Sequence, residues 1–97
     1  MPAVYVAAGS NVEPERHLAL ATELIRQEFP DVRVSPWYRN RAVGFEGADF
    51  INLVVGFTTP LSINDLLSRL RAIEIACGRP REAPRWAPRS MDLDVLL

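Results

Sequence analysis

A chain of 97 residues, 48% apolar and with a formal net charge of −1, is sized for one domain with a small core. It has no apolar run of the ~18 residues that cross a membrane, and no surplus of positive charge to hold nucleic acid or an acidic membrane. Its single cysteine, Cys77, excludes an internal disulfide and suits a reducing compartment.

The start, MPAVYVAAGSN, carries no basic stretch ahead of its apolar residues, so a cytoplasmic chain without a signal peptide is expected. Residues 3–8 are apolar and β-favouring and run into Gly9-Ser10-Asn11. This predicts a buried strand followed by a turn. Pro14 stands where a helix begins without losing a needed N–H. Leu18, Ala21, Ile25 and Phe29 then recur at three- and four-residue spacing, which predicts an amphipathic helix ended by Pro30. His17 falls at the start of that helix and is expected at the surface. Val32 and Val34 alternate with Arg33 and Ser35 ahead of Trp37-Tyr38, the pattern of a second strand.

Residues 39–49 contain Gly44 and Gly47 and lack periodic apolar positions, so an irregular loop is expected, of a length that often carries function. Residues 50–58 predict a third strand, closed by Pro60. Ser62 can cap the next helix, with Asp65 at the capping-box position. Ile63, Leu66, Leu67, Leu70, Ile73 and Cys77 form its expected buried stripe, and Gly78 and Pro80 stop it. After a second irregular, arginine-rich stretch, residues 91–97 predict a fourth strand. The order βαββαβ points to an α+β ferredoxin-like sandwich, one antiparallel sheet with two helices on one face. That architecture hosts many functions and names none.

Two features carry chemistry. In Asp92-Leu93-Asp94 the two acids, one residue apart on a strand, face the same side about 6–7 Å apart. Such a pair repels itself unless a cation bridges it or one acid is protonated. Hard oxygen ligands without nearby histidine or cysteine suit Mg²⁺. Outward charges that protect an edge strand look the same, so the neighbourhood decides. Directly upstream, Arg79, Arg81, Arg85 and Arg89 crowd a proline-stiffened segment in which Glu82 alone opposes them. Arginine forks suit phosphate oxygens, and Trp86 among them offers a surface to a flat heterocycle. Cations for phosphate next to carboxylates for metal are what a magnesium-bound triphosphate requires.

The segment 78–94, GRPREAPRWAPRSMDLD, closely resembles the signature of the 6-hydroxymethyl-7,8-dihydropterin pyrophosphokinase (HPPK) family: a basic loop, R-W-x-P-R, a short spacer and D-x-D. Gly9-Ser10-Asn11, Tyr38-Arg39 leading to Val43-Gly44, the pair Phe50 and Asn52, and Glu74 also match the family in order. The resemblance implies a ferredoxin-like fold and transfer of a diphosphate from MgATP to 6-hydroxymethyl-7,8-dihydropterin in folate biosynthesis, with release of AMP. It implies that Asp92 and Asp94 bind two Mg²⁺ ions and that Arg79 and Arg89 grip the phosphates and stabilise the transition state. Arg81, Arg85 and Trp86 would belong to the loop that closes over ATP, with Glu74 supporting the site through hydrogen bonds. Phe50 would stack on the pterin, Asn52 would read its edge, Val43 and Gly44 would complete the slot, and Trp86 would lie beside both substrates.

Two departures stand out. Asn40-Arg41-Ala42 replaces the threonine and prolines of many members, and family members continue past the D-x-D strand. The expectation is therefore a single HPPK-like domain over 1–97 lacking the family's C-terminal segment, monomeric, with neither nucleic acid nor membrane as partner and with weak or absent turnover as it stands. The rival readings are a non-catalytic nucleotide- or pterin-binding remnant and a ferredoxin-like regulatory or interaction module. The middle strands lack the aromatic and basic set that stacks RNA bases.

Overall fold

The computed structural model describes residues 2–40, 50–78 and 91–96. Strand β1 (Ala3–Ser10) alternates as its composition demands, with Val4, Val6 and Ala8 buried and Tyr5 exposed. It runs two residues beyond the expected end. Gly9 and Ser10 are strand residues that pair with Asn52 and Ile51, so the turn begins later than the glycine suggested.

Helix α1 (Pro14–Glu28) starts at its proline and buries Leu18, Ala21 and Ile25. Glu13 before it is left-handed, φ 41°, and its side chain makes no cap. The loop is held instead at Val12, whose carbonyl accepts the Ser10 hydroxyl at 3.1 Å and the Nδ1 of His17. Arg16 Nη2 lies 3.4 Å from His17 Nε2. A guanidinium only donates, so Nε2 accepts and Nδ1 carries the proton given to Val12. His17 is thus 7% exposed, against the expectation of a surface residue, because the chain folds back over the first turn of the helix. Phe29 ends the helix and stacks on Phe57 with ring centroids 4.2 Å apart.

The expected second strand is two. Strand β2 (Arg33–Val34) and strand β3 (Tyr38–Asn40) both pair with strand β4 (Phe50–Thr58). Ser35 continues the ladder, its N–H reaching Val54 O at 2.9 Å while its hydroxyl accepts Val54 N–H at 2.8 Å. Pro36 then has no N–H to give. Val34 faces Val55 and Tyr38 faces Asn52, four steps on one side against three on the other. The extra residue acts as a bulge and moves the following side chains to the opposite face.

Helix α2 (Ile63–Ala76) is capped by Ser62, whose Oγ accepts Asp65 N–H at 3.2 Å. Leu66, Leu70, Ile73 and Cys77 are buried, but Ile63 and Leu67 remain 57% and 44% exposed. At 3.6 residues per turn Leu67 falls on the flank of the stripe, whereas Ile63 lies within its arc but at the first residue of the helix. Gly78, φ 95°, ends the helix in a conformation that favours glycine.

Strand β5 (Asp92–Val95) completes a five-stranded sheet in the order β2–β4–β1–β5, with β3 on β4 beside β2 and every pairing antiparallel. The face bearing Val6, Ala8, Leu53, Val55 and Leu93 packs with both helices into one core. This is the expected ferredoxin-like arrangement with its second strand broken at Pro36. Burying side chains such as Leu18, Ile25, Leu53 and Leu70 contributes roughly 1.5–3 kcal/mol each. No helix among the described residues is long and apolar enough to cross a membrane.

Cys77 lies in that core, its thiol directed at the His17 carbonyl. Burial, aided by the nearby Glu74, pushes its pKa above the ordinary 9.0. The unfolded chain therefore loses this proton first. Stability from the neutral thiol is complete below pH 9.0, falls as pH rises beyond it and is lost once the folded thiol also ionises. Urea midpoints at neutral pH and at about pH 10 should therefore differ less for Cys77→Ala than for the parent chain.

Candidate active site

The sheet face opposite the helices carries Asp92, Asp94 and Asn52 of the expected site residues. In antiparallel strands directly paired residues share a face, and the register reads Asp92–Gly9–Asn52–Tyr38 across β5, β1, β4 and β3. The next row reads Asp94–Ala7–Val54. Leu93 between the acids is buried in the core, which directs Asp92 and Asp94 together to the open face, the first half-buried and the second exposed. Two strand spacings, roughly 10 Å, separate Asp92 from Asn52 along the row.

The strand that carries the acids is held from both sides. Asp92 and Asp94 pair with β1 on one side. On the other, Glu74 in the last turns of α2 is buried, and its Oε2 accepts the Leu93 N–H at 2.7 Å. An amide already paired with Glu74 points away from β1, so this carboxylate covers the outer edge of β5 at the point between the two acids. A short, charge-assisted bond of this kind is worth about 1.5–3 kcal/mol.

Asn52 and Phe50 close over Gly9. An added Cβ at Gly9 would meet Asn52 Oδ1 at 2.5 Å and Phe50 Cδ1 at 3.6 Å. The other end of the amide, Asn52 Nδ2, is buried and finds no acceptor among the described residues. Leaving a buried donor unpaired costs about 1–3 kcal/mol, and such groups in native proteins commonly await a ligand or a water. The amide therefore suits a ligand with an acceptor on its edge.

For a metal, the donor set is two carboxylates on one face, which fits Mg²⁺ as a hard cation that uses few protein oxygens and takes others from phosphates. Among the described residues no group of three or more His, Cys, Asp or Glu side chains gathers to form a closed metal site. Of the expected site residues, Phe50, Asn52, Asp92 and Asp94 come together on the open face and Glu74 braces β5 from behind. Val43, Gly44, Arg79, Arg81, Arg85, Trp86 and Arg89 lie outside the described residues. Gly9 joins this row although in sequence its glycine predicts a turn. Its place shows only through the pairing with Asp92 and Asn52. A separate cavity of about 520 Å³ on the open face, lined by Tyr5, Arg33, Val54 and Gly56 among others, contains none of the expected site residues.

The comparisons with known proteins agree on one family. A sequence model described as 7,8-dihydro-6-hydroxymethylpterin-pyrophosphokinase (HPPK) matches residues 5–97. The chain is 41% identical to the 2-amino-4-hydroxy-6-hydroxymethyldihydropteridine pyrophosphokinase of Pseudomonas aeruginosa, over 97% of the chain and 60% of that relative. The proteins of the same name from Bacillus subtilis and Aquifex aeolicus are 40% and 34% identical, over 96% and 100% of the chain and 58% and 61% of the relatives. The chain thus spans about three fifths of the length of these curated relatives.

Proposed function

The chain belongs to the 7,8-dihydro-6-hydroxymethylpterin-pyrophosphokinase (HPPK) family, and from that premise we propose that its open sheet face transfers a diphosphate from MgATP to 6-hydroxymethyl-7,8-dihydropterin in folate biosynthesis, releasing AMP. The observation that carries the proposal is the row Asp92–Gly9–Asn52, which sets a paired-carboxylate strand opposite a buried amide donor that has no acceptor among the described residues. A flat heterocycle held by its edge at Asn52 and stacked on Phe50 extends along this row toward the acids. Its hydroxymethyl arm then lies where the triphosphate is held.

The pterin hydroxyl oxygen forms a bond to the β-phosphorus, and the bond from that phosphorus to the oxygen bridging it to the α-phosphorus breaks. AMP departs with that oxygen, and the hydroxyl proton passes to solvent. Alignment and charge neutralisation supply most of the acceleration in such transfers. Asp92 and Asp94 would hold two Mg²⁺ ions. When bound, these neutralise phosphate charge and favour ionisation of the attacking hydroxyl. Glu74, by fixing the Leu93 amide, keeps both carboxylates in place before substrates arrive. By the family resemblance Arg79 and Arg89 clamp the phosphates, Arg81, Arg85 and Trp86 close over ATP, and Val43 and Gly44 complete the pterin slot. The buried free thiol of Cys77 is in keeping with a reducing cytoplasm, and we take the working unit to be a monomer.

The test is chromatographic detection of AMP after incubation of the chain with ATP, Mg²⁺ and 6-hydroxymethyl-7,8-dihydropterin. AMP formed at a low rate, and only with all three present, is the expected result. Binding of MgATP and pterin without AMP would replace the proposal with a non-catalytic binding role for the chain, and binding of neither would reject both.

A further inference from the structure

We infer that Gly9 is a positioning residue, whose missing side chain lets the Asn52 amide rest on β1 and keeps the floor between Asn52 and Asp92 flat. The inference rests on the functional reading above for its ligand, but its geometry stands alone. Glycine is not required here for backbone freedom. Gly9 lies within a regular antiparallel strand, paired on both sides, and Gly78 is the glycine with positive φ among the described residues. What remains is close approach.

A methyl group at position 9 would stand 2.5 Å from Asn52 Oδ1 and 3.5 Å from its Cγ. Real carbon atoms do not share that space, so the amide would have to leave. Exchanging the amide's oxygen and nitrogen leaves the collision unchanged, since the two ends occupy equivalent positions. With the amide displaced, the Nδ2 donor that finds no acceptor among the described residues loses its aim. The same methyl would rise between Asn52 and Asp92 in the row, by about 2 Å, beneath any planar ring that crosses from one to the other. Gly9 thus acts on the pterin side of the site through Asn52, and leaves the strand that carries the acids in place.

Gly9→Ala is expected to raise the dissociation constant of 6-hydroxymethyl-7,8-dihydropterin at least tenfold, with that of MgATP changed less than about threefold. In the ligand-free chain the Asn52 side-chain amide resonances should shift. In an Asn52→Ala background, where the collision is gone, Gly9→Ala should not lower the thermal midpoint further. If Gly9→Ala alone fails to fold, the double variant is expected to fold again. Unshifted Asn52 resonances, a further loss of stability from Gly9→Ala in the Asn52→Ala background, or a double variant no more stable than Gly9→Ala would each overturn the inference. Because the resonance and stability readouts involve no substrate, a chain that binds no pterin would reject the functional reading while leaving this one to be judged on its own.

Discussion

Asparagine in place of either Asp92 or Asp94 is expected to lower Mg²⁺-dependent AMP formation by about 10²–10³-fold or more, the scale of losing a preorganised electrostatic contact to the transition state, while the fold survives. The side chain changes little in volume, but an anionic oxygen donor becomes a neutral amide. Magnesium binds hard, charged oxygens and is reluctant to shed its waters, so the neutral ligand holds it poorly. The fold is spared because both side chains stand on the open face, whereas Leu93 between them makes the core contact. The measurement is steady-state AMP release across a magnesium titration, with circular dichroism as the control for folding. Rates and magnesium dependence unchanged in both variants would remove the metal role from these residues.

The second large effect is expected at Glu74, where stability and function meet. Glu74→Leu fills the same buried space without an acceptor and leaves the Leu93 N–H unpaired at the edge of β5. That should cost about 1.5–3 kcal/mol in urea unfolding. For a domain of this size such a loss is a large share of the total. Glu74→Gln keeps an acceptor oxygen and should recover most of it. The pair of variants separates hydrogen bonding from charge through a second readout. The Glu74 carboxylate helps to raise the Cys77 pKa, so both variants should bring that thiol closer to its ordinary value, as measured by the pH dependence of its alkylation in the folded chain. AMP formation should fall further in Glu74→Leu than in Glu74→Gln, because a loosened β5 misplaces both acids. Equal stability of the leucine variant and the parent would mean that the edge of β5 is held by other contacts.

Much of this molecule is legible along the chain because its signals are local. The alternation of Leu53, Val55 and Phe57, the helical spacing of Leu18, Ala21 and Ile25, the proline at the start of α1, the serine cap of α2 and the glycine after it each involve residues within a turn or two of one another. The same holds for Asp92 and Asp94. A strand's period of two is enough to direct both to one side, and their neighbour Leu93 identifies which side is wet. The places where the linear reading departs from the structure are those where a distant partner intervenes. The second strand breaks where the Ser35 hydroxyl takes the Val54 N–H and the register on β4 slips by one residue. His17 is buried because the loop before it folds back to its ring, Leu67 stays exposed on the flank of α2, and Ile63 stays exposed at its first residue.

By itself, then, the sequence determined where the two helices lie and which stretches pair into the sheet, that two carboxylates share a face, and the family to which those motifs belong. Tertiary structure alone decided that Gly9 lies between Asp92 and Asn52, that the Asn52 amide rests on a glycine, and that Glu74 meets the amide between the acids. The reason is physical. Periodicity and capping are satisfied by neighbours in the chain, whereas strand register and the partner of a buried carboxylate are settled only when separate elements pack together and their polar groups must be paired.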